Sequence, residues 1–212
     1  MTVLTLKEIM KETDKALVGG TLPIVFLDTS SLIDICKSAR EEQMRQKGKT
    51  DLPLEEVYAD HFLMSLAGKY QTLVSPLTYE EIKRHYSVRL NGHTKEIRET
   101  ICPLIEKFAA DYERLRKFIP DNETVDEDRY LAYWISKFLC GENRKRDMDD
   151  ISNVDREIVE NALLFSKHFS KDGRKAGPVA VLSSDEHIRR PVVTLNYDWG
   201  CNNLIYLNSK ER

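Results

Sequence analysis

The sequence predicts an α/β protein with a central, mostly parallel sheet flanked by helices. Three observations carry this. Short apolar runs at 23–27 (PIVFL), 71–75 (QTLVS), 179–182 (VAVL) and 204–207 (LIYL) read as strands. Long stretches between them repeat apolar residues every three or four positions, so strands alternate with helices. Two of the runs, at 23–27 and 179–182, also finish alike, in a hydroxyl-rich turn bearing an aspartate.

In chain order, TLKEIMKETDKAL (5–17) is expected to be helical. Thr5 and Glu8 have capping-box spacing, and Gly19-Gly20 ends the segment. The strand at 23–27 runs into Asp28, Thr29, Ser30 and Ser31, then a helix carrying Leu32, Ile33, Ile35 and Cys36. Residues 37–51 are polar and read as a solvated helix end and loop. A helix is expected at 54–67. The strand at 71–75 is stopped by Pro76, and the helical LTYEEIKRHYSVRL follows. From there to about residue 140 the pattern is helical. Ile101, Leu104, Ile105, Phe108, Tyr112, Leu115 and Phe118 form a stripe expected to pack on the domain or on a second copy of the chain, which would make a homo-oligomer. Tyr130, Leu131, Trp134, Phe138 and Leu139 form a second stripe, expected to serve helix packing. Residues 141–153 are a charged loop, and VDREIVENALLFSKHF (154–169) is a helix. After a turn at 171–177 and the strand at 179–182, Pro191–Leu195 reads as a strand or a loop.

Composition sets limits. The chain has 212 residues, 41% of them hydrophobic and 32% charged, which permits one core burying roughly 70% of the unfolded surface. A net charge of −3 gives no global field drawing it to nucleic acid or an anionic membrane, so such a partner would need local patches. The four cysteines have no CxxC pair, which argues against a zinc knot or disulfide framework and suits a reducing cytoplasm. The charged start is unlike a signal peptide. No run of about 18 apolar residues suggests a membrane span.

Asp28 and Asp185, at the ends of two strands of one parallel sheet, would emerge at the same edge, where α/β folds bind ligands. Glu81 and Asp155 lie near the starts of helices and would reach that edge too. Two like charges about 4 Å apart repel by about 4 kcal/mol at an effective dielectric of about 20, so four converging carboxylates must protonate or bind cations. Oxygen ligands suit Mg²⁺ or Mn²⁺. Each acid also has a structural reading: Asp28 and Asp185 as helix caps, Glu81 closing a capping box with Thr78, Asp155 facing a helix dipole.

The wording around the four acids resembles the PIN-domain nucleases. The strand-to-acid motif is LDTSSLID, the strand–turn–Glu motif is VSPLTYEEI, which selects Glu81 over Glu80, the helix motif is DREIVENAL with Asp155, Ile158 and Ala162, and the last is SSD at 183–185. The four occur in the family's order. The long segment between Glu81 and Asp155, and Ile188 where some members carry another acid, make the compact toxin type a poor fit. The resemblance implies a single PIN-like domain over 23–208, a helical insertion at about 86–145 and an N-terminal helical extension over 1–22. It implies a divalent-metal-dependent endoribonuclease that hydrolyses RNA phosphodiester bonds with a metal-activated water, leaving a 5′-phosphate. Asp28, Glu81, Asp155 and Asp185 would be metal ligands, with Ser30 and Ser184 orienting them. Lys83, Arg84, Arg89, Arg144, Lys145, Arg146 and Arg189 could contact RNA backbone. The rival is a catalytically silent PIN-fold module that docks a protein or RNA through its insertion.

Other chemistries fit less well. Ser30 stands where a haloacid-dehalogenase phosphatase needs a second aspartate, and no GxGxxG or P-loop motif is present. The five histidines are scattered and read as surface or core residues; His187, two residues from Asp185, is the exception.

Overall fold

The structure is a computed structural model that describes residues 4–19, 22–46, 58–88, 101–141, 153–175 and 177–210. Four parallel strands form the sheet: β1 (Ile24–Leu27), β2 (Gln71–Leu73), β5 (Val179–Ser183) and β6 (Leu204–Asn208), in the order β2-β1-β5-β6. Ile24 pairs with Gln71 on one side and Val179 on the other, and Val179 with Leu204. The helices are α1 (Leu6–Ala16), α2 (Thr29–Arg45), α3 (Ala59–Lys69), α4 (Pro76–Val88), α5 (Cys102–Arg116), α6 (Glu123–Gly141), α7 (Asn153–His168) and α8 (Glu186–Tyr197). Between α7 and β5 lies a hairpin, β3 (Ser170–Lys171) with β4 (Arg174–Lys175), where Asp172 and Gly173 both take positive φ (52° and 74°), as a tight hairpin turn requires.

The apolar strand runs are explained by a core on each face. Successive strand residues point to opposite sides. Ile24, Phe26, Val179 and Val181 pack under α6, α7 and α8, whereas Val25, Leu27, Ala180 and Leu182 pack under α1, α2 and α3. Helix α5 joins the two cores, giving Ile105 and Phe108 to one and Tyr112 and Leu115 to the other. The stripe from Ile101 thus packs on the domain, although Phe118 at its end is exposed. Helix α1 places Leu6 and Ile9 in the second core, with the Thr5–Glu8 capping box formed.

Three local expectations change. The helix expected at 54–67 is described over 59–69; positions 54–57 lie outside the described residues. Pro191–Leu195 is helical, not strand or loop. Ile188, Pro191, Val192 and Leu195 share one buried face of α8, and that burial outweighs the low helix propensity of proline and valine. On α6 the interior face is supplied by Val125, Ala132 and Ile135; of the expected packing stripe, Leu131 and Leu139 pack against this core as expected, while Tyr130, Trp134 and Phe138 are exposed.

The order β2-β1-β5-β6 reverses direction between β1 and β5. In such sheets a reversal of this kind leaves a crevice at the carboxyl ends of the two strands, the usual ligand position.

Candidate metal centre at the sheet edge

Asp28 leaves β1 as its backbone N–H donates to the Leu182 carbonyl (3.2 Å). The next residues turn at once into α2, and the buried Asp28 carboxylate caps it. Oδ2 accepts from the Ser30 N–H (3.1 Å), the Ser30 hydroxyl (2.5 Å) and the Ser183 hydroxyl (2.9 Å). Each of these hydroxyls also accepts a backbone N–H from the β5 turn: Ser184 N–H to Ser30 Oγ and Asp185 N–H to Ser183 Oγ, both at 2.9 Å. Two serines therefore stitch the two strand ends together around one carboxylate.

Asp185 caps α8 in the same manner, its Oδ1 accepting from the His187 N–H at 2.7 Å. The cap folds His187 back, so that its Nδ1 lies 3.4 Å from the same oxygen. Asp155, in the first turn of α7, completes a half-buried trio. One ligand atom each from Asp155, Asp185 and His187 lies within 4.8 Å of the others. Ligands on opposite sides of one ion, each about 2.1–2.4 Å from it, are about 4–5 Å apart. The trio could hold a metal ion.

The other two acids join through short links. The Thr29 hydroxyl donates to Glu81 Oε2, tying α4 to the residue beside Asp28. Burial pushes the Asp28 carboxyl above its usual range, against its serine hydrogen bonds, and the Asp185 charge pushes it the same way. Asp28, Glu81, Asp155 and Asp185 thus share one edge, through a chain of contacts rather than one tight cluster. Both structural readings of the aspartates as caps hold as well. Glu81 bonds to Thr29, and the Thr78 N–H is taken by the Ser75 hydroxyl.

Ser30 donates to Asp28 through both its N–H and its hydroxyl. Ser184 contributes its backbone N–H, and its hydroxyl instead accepts from Lys210 Nζ at 3.0 Å. The hydroxyl that reaches Asp28 belongs to Ser183, the last residue of β5. Sequence reasoning also left Thr29, Lys210 and His187 out of the site. Lys210 is anchored 3.5 Å from the buried Asp34, which accepts from the Ser209 hydroxyl at 2.7 Å. The sequence marks His187 only by its nearness to Asp185; that its ring folds back onto that carboxylate follows from the cap.

The basic residues are less convergent. Lys83 pairs with Glu80 (3.2 Å) and lies over the Tyr79 ring, and Arg84 is exposed nearby on α4. Arg189 is bound to Glu186, whose carboxyl this pairing holds well below its usual range. Arg89, Arg144, Lys145 and Arg146 lie outside the described residues. Among the described residues no helix is long and apolar enough to cross a membrane. No family model matches the chain, and neither a curated protein nor a solved structure is similar enough to match it.

Proposed function

We propose that the chain is a divalent-metal-dependent endoribonuclease with a PIN-like fold. The observation that carries this reading is the trio of Asp155, Asp185 and His187 at the carboxyl edge of a parallel sheet, beside the buried Asp28, whose carboxyl burial pushes above its usual range. The four-stranded parallel sheet flanked by helices is compatible with that fold.

Asp155, Asp185 and His187 would hold the ion, with Asp28 and Glu81 adding negative charge at the same edge. A nitrogen donor beside two carboxylates makes Mn²⁺ a better fit than Mg²⁺. When bound, the ion supplies Lewis acidity, lowering the pKa of a water and neutralising charge on a phosphate. The chain's own residues do the positioning. Ser30 and Ser183 fix the Asp28 carboxylate, Thr29 fixes Glu81, and the α8 cap fixes His187 against Asp185. Lys210, beside Ser184, offers positive charge to a phosphate.

A second reading is a non-catalytic docking module. It is favoured by one fact: Asp28 and Asp185 both cap helices, which alone accounts for an aspartate there. Asp155→Asn separates the two. We expect Mn²⁺-dependent, chelator-sensitive cleavage of RNA by the wild type, and a loss of at least about a hundredfold in Asp155→Asn with the fold intact. On the docking reading that substitution costs about 0.3–1 kcal/mol of stability through the helix dipole, and changes nothing else. A folded wild type that cuts no RNA of a broad panel with Mn²⁺ defeats the nuclease reading.

A further inference from the structure

The outer face of α6 has no structural task. Tyr130 is 63% exposed, Trp134 45% and Phe138 66%, with Tyr133 at 37%, while the opposite face of the same helix fills the core. A contiguous exposed aromatic patch of this kind marks an interaction site. The rings meet edge to face, Tyr130 to Trp134 at 5.7 Å and Tyr133 to Trp134 at 5.8 Å. Two cations lie over them: Lys137 Nζ is 5.3 Å from the Trp134 ring centre and 5.7 Å from that of Tyr133, and the Arg156 guanidinium is 5.3 Å from Tyr133. Among the described residues neither cation pairs with a carboxylate.

This face borders a cleft that reaches the first turn of α7, one residue from Asp155. Tyr133 and Arg156 both line a cleft of about 430 Å³ between α5, α6 and α7, which also takes in Arg116, Arg129 and Asn153. Arg156 directly follows Asp155 on the first turn of α7. The acids of the cleft are engaged: Glu160 with Arg129 (3.3 Å) and Glu157 with the Leu77 N–H (2.9 Å). The stripe from Tyr130 to Phe138 extends about 12 Å along the helix, room for a few stacked bases.

We infer that the Tyr133–Trp134–Phe138 face of α6, with Lys137 and Arg156, is a stacking platform for single-stranded RNA that leads a strand toward the acidic edge. The choice of RNA over a protein rests on the nuclease reading and on charge complementarity. Every base offers a π-face, so aromatic rings bind a strand without reading its sequence, and interleaved cations hold its phosphates. The platform has a direction. Glu123, Asp126 and Glu127 crowd Tyr130 at the amino-terminal end of α6 and repel a phosphate there. The strand therefore lies over Tyr133, Trp134 and Phe138, with Tyr130 contributing least.

The test is binding of a fluorescein-labelled oligouridylate of about 16 nucleotides to the full chain in chelator, read by anisotropy. Wild type should bind, and more weakly as salt rises from about 50 to 200 mM. Tyr133→Ala/Trp134→Ala should weaken binding about tenfold or more at unchanged melting temperature. Lys137→Glu, which leaves all the aromatic rings in place, should weaken it and flatten the salt dependence. Tyr197→Ala, another exposed aromatic, should bind as wild type does. Wild-type affinity in the double variant, or no binding by the wild type, overturns the platform. So does a wild-type dimer in sedimentation that the double variant abolishes while oligonucleotide binding persists, because the face is then a self-interface. The nuclease reading fails separately: Asp185→Asn should bind the oligonucleotide as tightly as wild type yet not cleave it with Mn²⁺. Cleavage by Asp185→Asn would take Asp185 out of the site, and a wild type that binds the oligonucleotide but does not cleave it with Mn²⁺ would sink the nuclease reading and leave the platform standing.

Discussion

At the carboxyl edge of β1 and β5, polar groups are held by other polar groups. Two serine hydroxyls and three backbone N–H groups fix the Asp28 carboxylate and the turn that bears Asp185. On the outer face of α6, rings rest against rings, and cations lie over them at cation–π distance. The first arrangement fixes side-chain orientation during folding, which is what binding a small charge with defined ligands requires. The second presents exposed ring faces and edges, which suits a partner with repeating, variable faces. One region is built for geometry and the other for area. The same chain keeps them adjacent through α7, which carries Asp155 in its first turn and Arg156 beside it.

The largest effect should come from reversing inside and outside in the helical half. Phe108 of α5 is 1% exposed and packs in the core beneath the sheet, so Phe108→Ala should cost about 3–5 kcal/mol. Trp134→Ala, a larger truncation on α6, should stay within about 0.5 kcal/mol. Chemical denaturation of the two variants is the check. A Trp134→Ala loss comparable to that of Phe108→Ala would mean that the α6 face supports the fold and is not reserved for a ligand.

A smaller effect sharpens the other half of the comparison. The Ser183 hydroxyl donates to Asp28 and accepts from the Asp185 N–H, so it touches both aspartates of the crevice. Ser183→Ala should weaken Mn²⁺ binding by about 10–100-fold, the usual result of removing a group that orients a ligand. Ser184→Ala should change it much less, because its hydroxyl faces Lys210. Titration calorimetry of both variants decides. Equal losses would show that the two serines act through the turn backbone.

The strands were legible because a sheet covered on both faces leaves continuous apolar runs, and 23–27 and 179–182 occur where β1 and β5 are found. The acids Asp28 and Asp185 were legible for the same reason: a strand end fixes the edge from which a residue emerges. Contacts set by side-chain direction were not. Whether Ser183 or Ser184 faces Asp28 depends on where β5 ends, a one-residue matter. His187 reaches Asp185 because the cap turns the chain back, which no spacing rule encodes. The α6 aromatics recur at helical intervals whether they point in or out. Periodicity identifies a face, and only the packing of Val125, Ala132 and Ile135 on the opposite side reveals which face is inside. Pro191 misled for a related reason, since burial of its helix face outweighs local propensity.

The smallest effect tests whether the crevice is strained by its own charge. The Asp28 carboxyl is raised by burial first, with the Asp185 charge adding to it. A carboxyl whose folded-state pKa is raised contributes stability below its unfolded value, and that contribution is lost as pH climbs through the folded value. Without metal, the wild type should therefore lose stability relative to Asp28→Asn, which cannot ionise, as pH rises from below the ordinary carboxylate range to neutral. Asparagine caps a helix as well as aspartate does, and its carbonyl can still accept from Ser30 and Ser183, so the cap itself is preserved. In chelator, Asp28→Asn should therefore melt higher than the wild type at neutral pH. Millimolar Mn²⁺ should reverse the order, because a cation at the crevice stabilises the wild type by mass action and relieves the Asp28 charge. Melting curves of both proteins across that pH range, with Mn²⁺ and with chelator, give the answer. If Asp28→Asn is no more stable than the wild type in chelator and gains as much from Mn²⁺, Asp28 is a helix cap alone, and the crevice carries no charge in need of a cation.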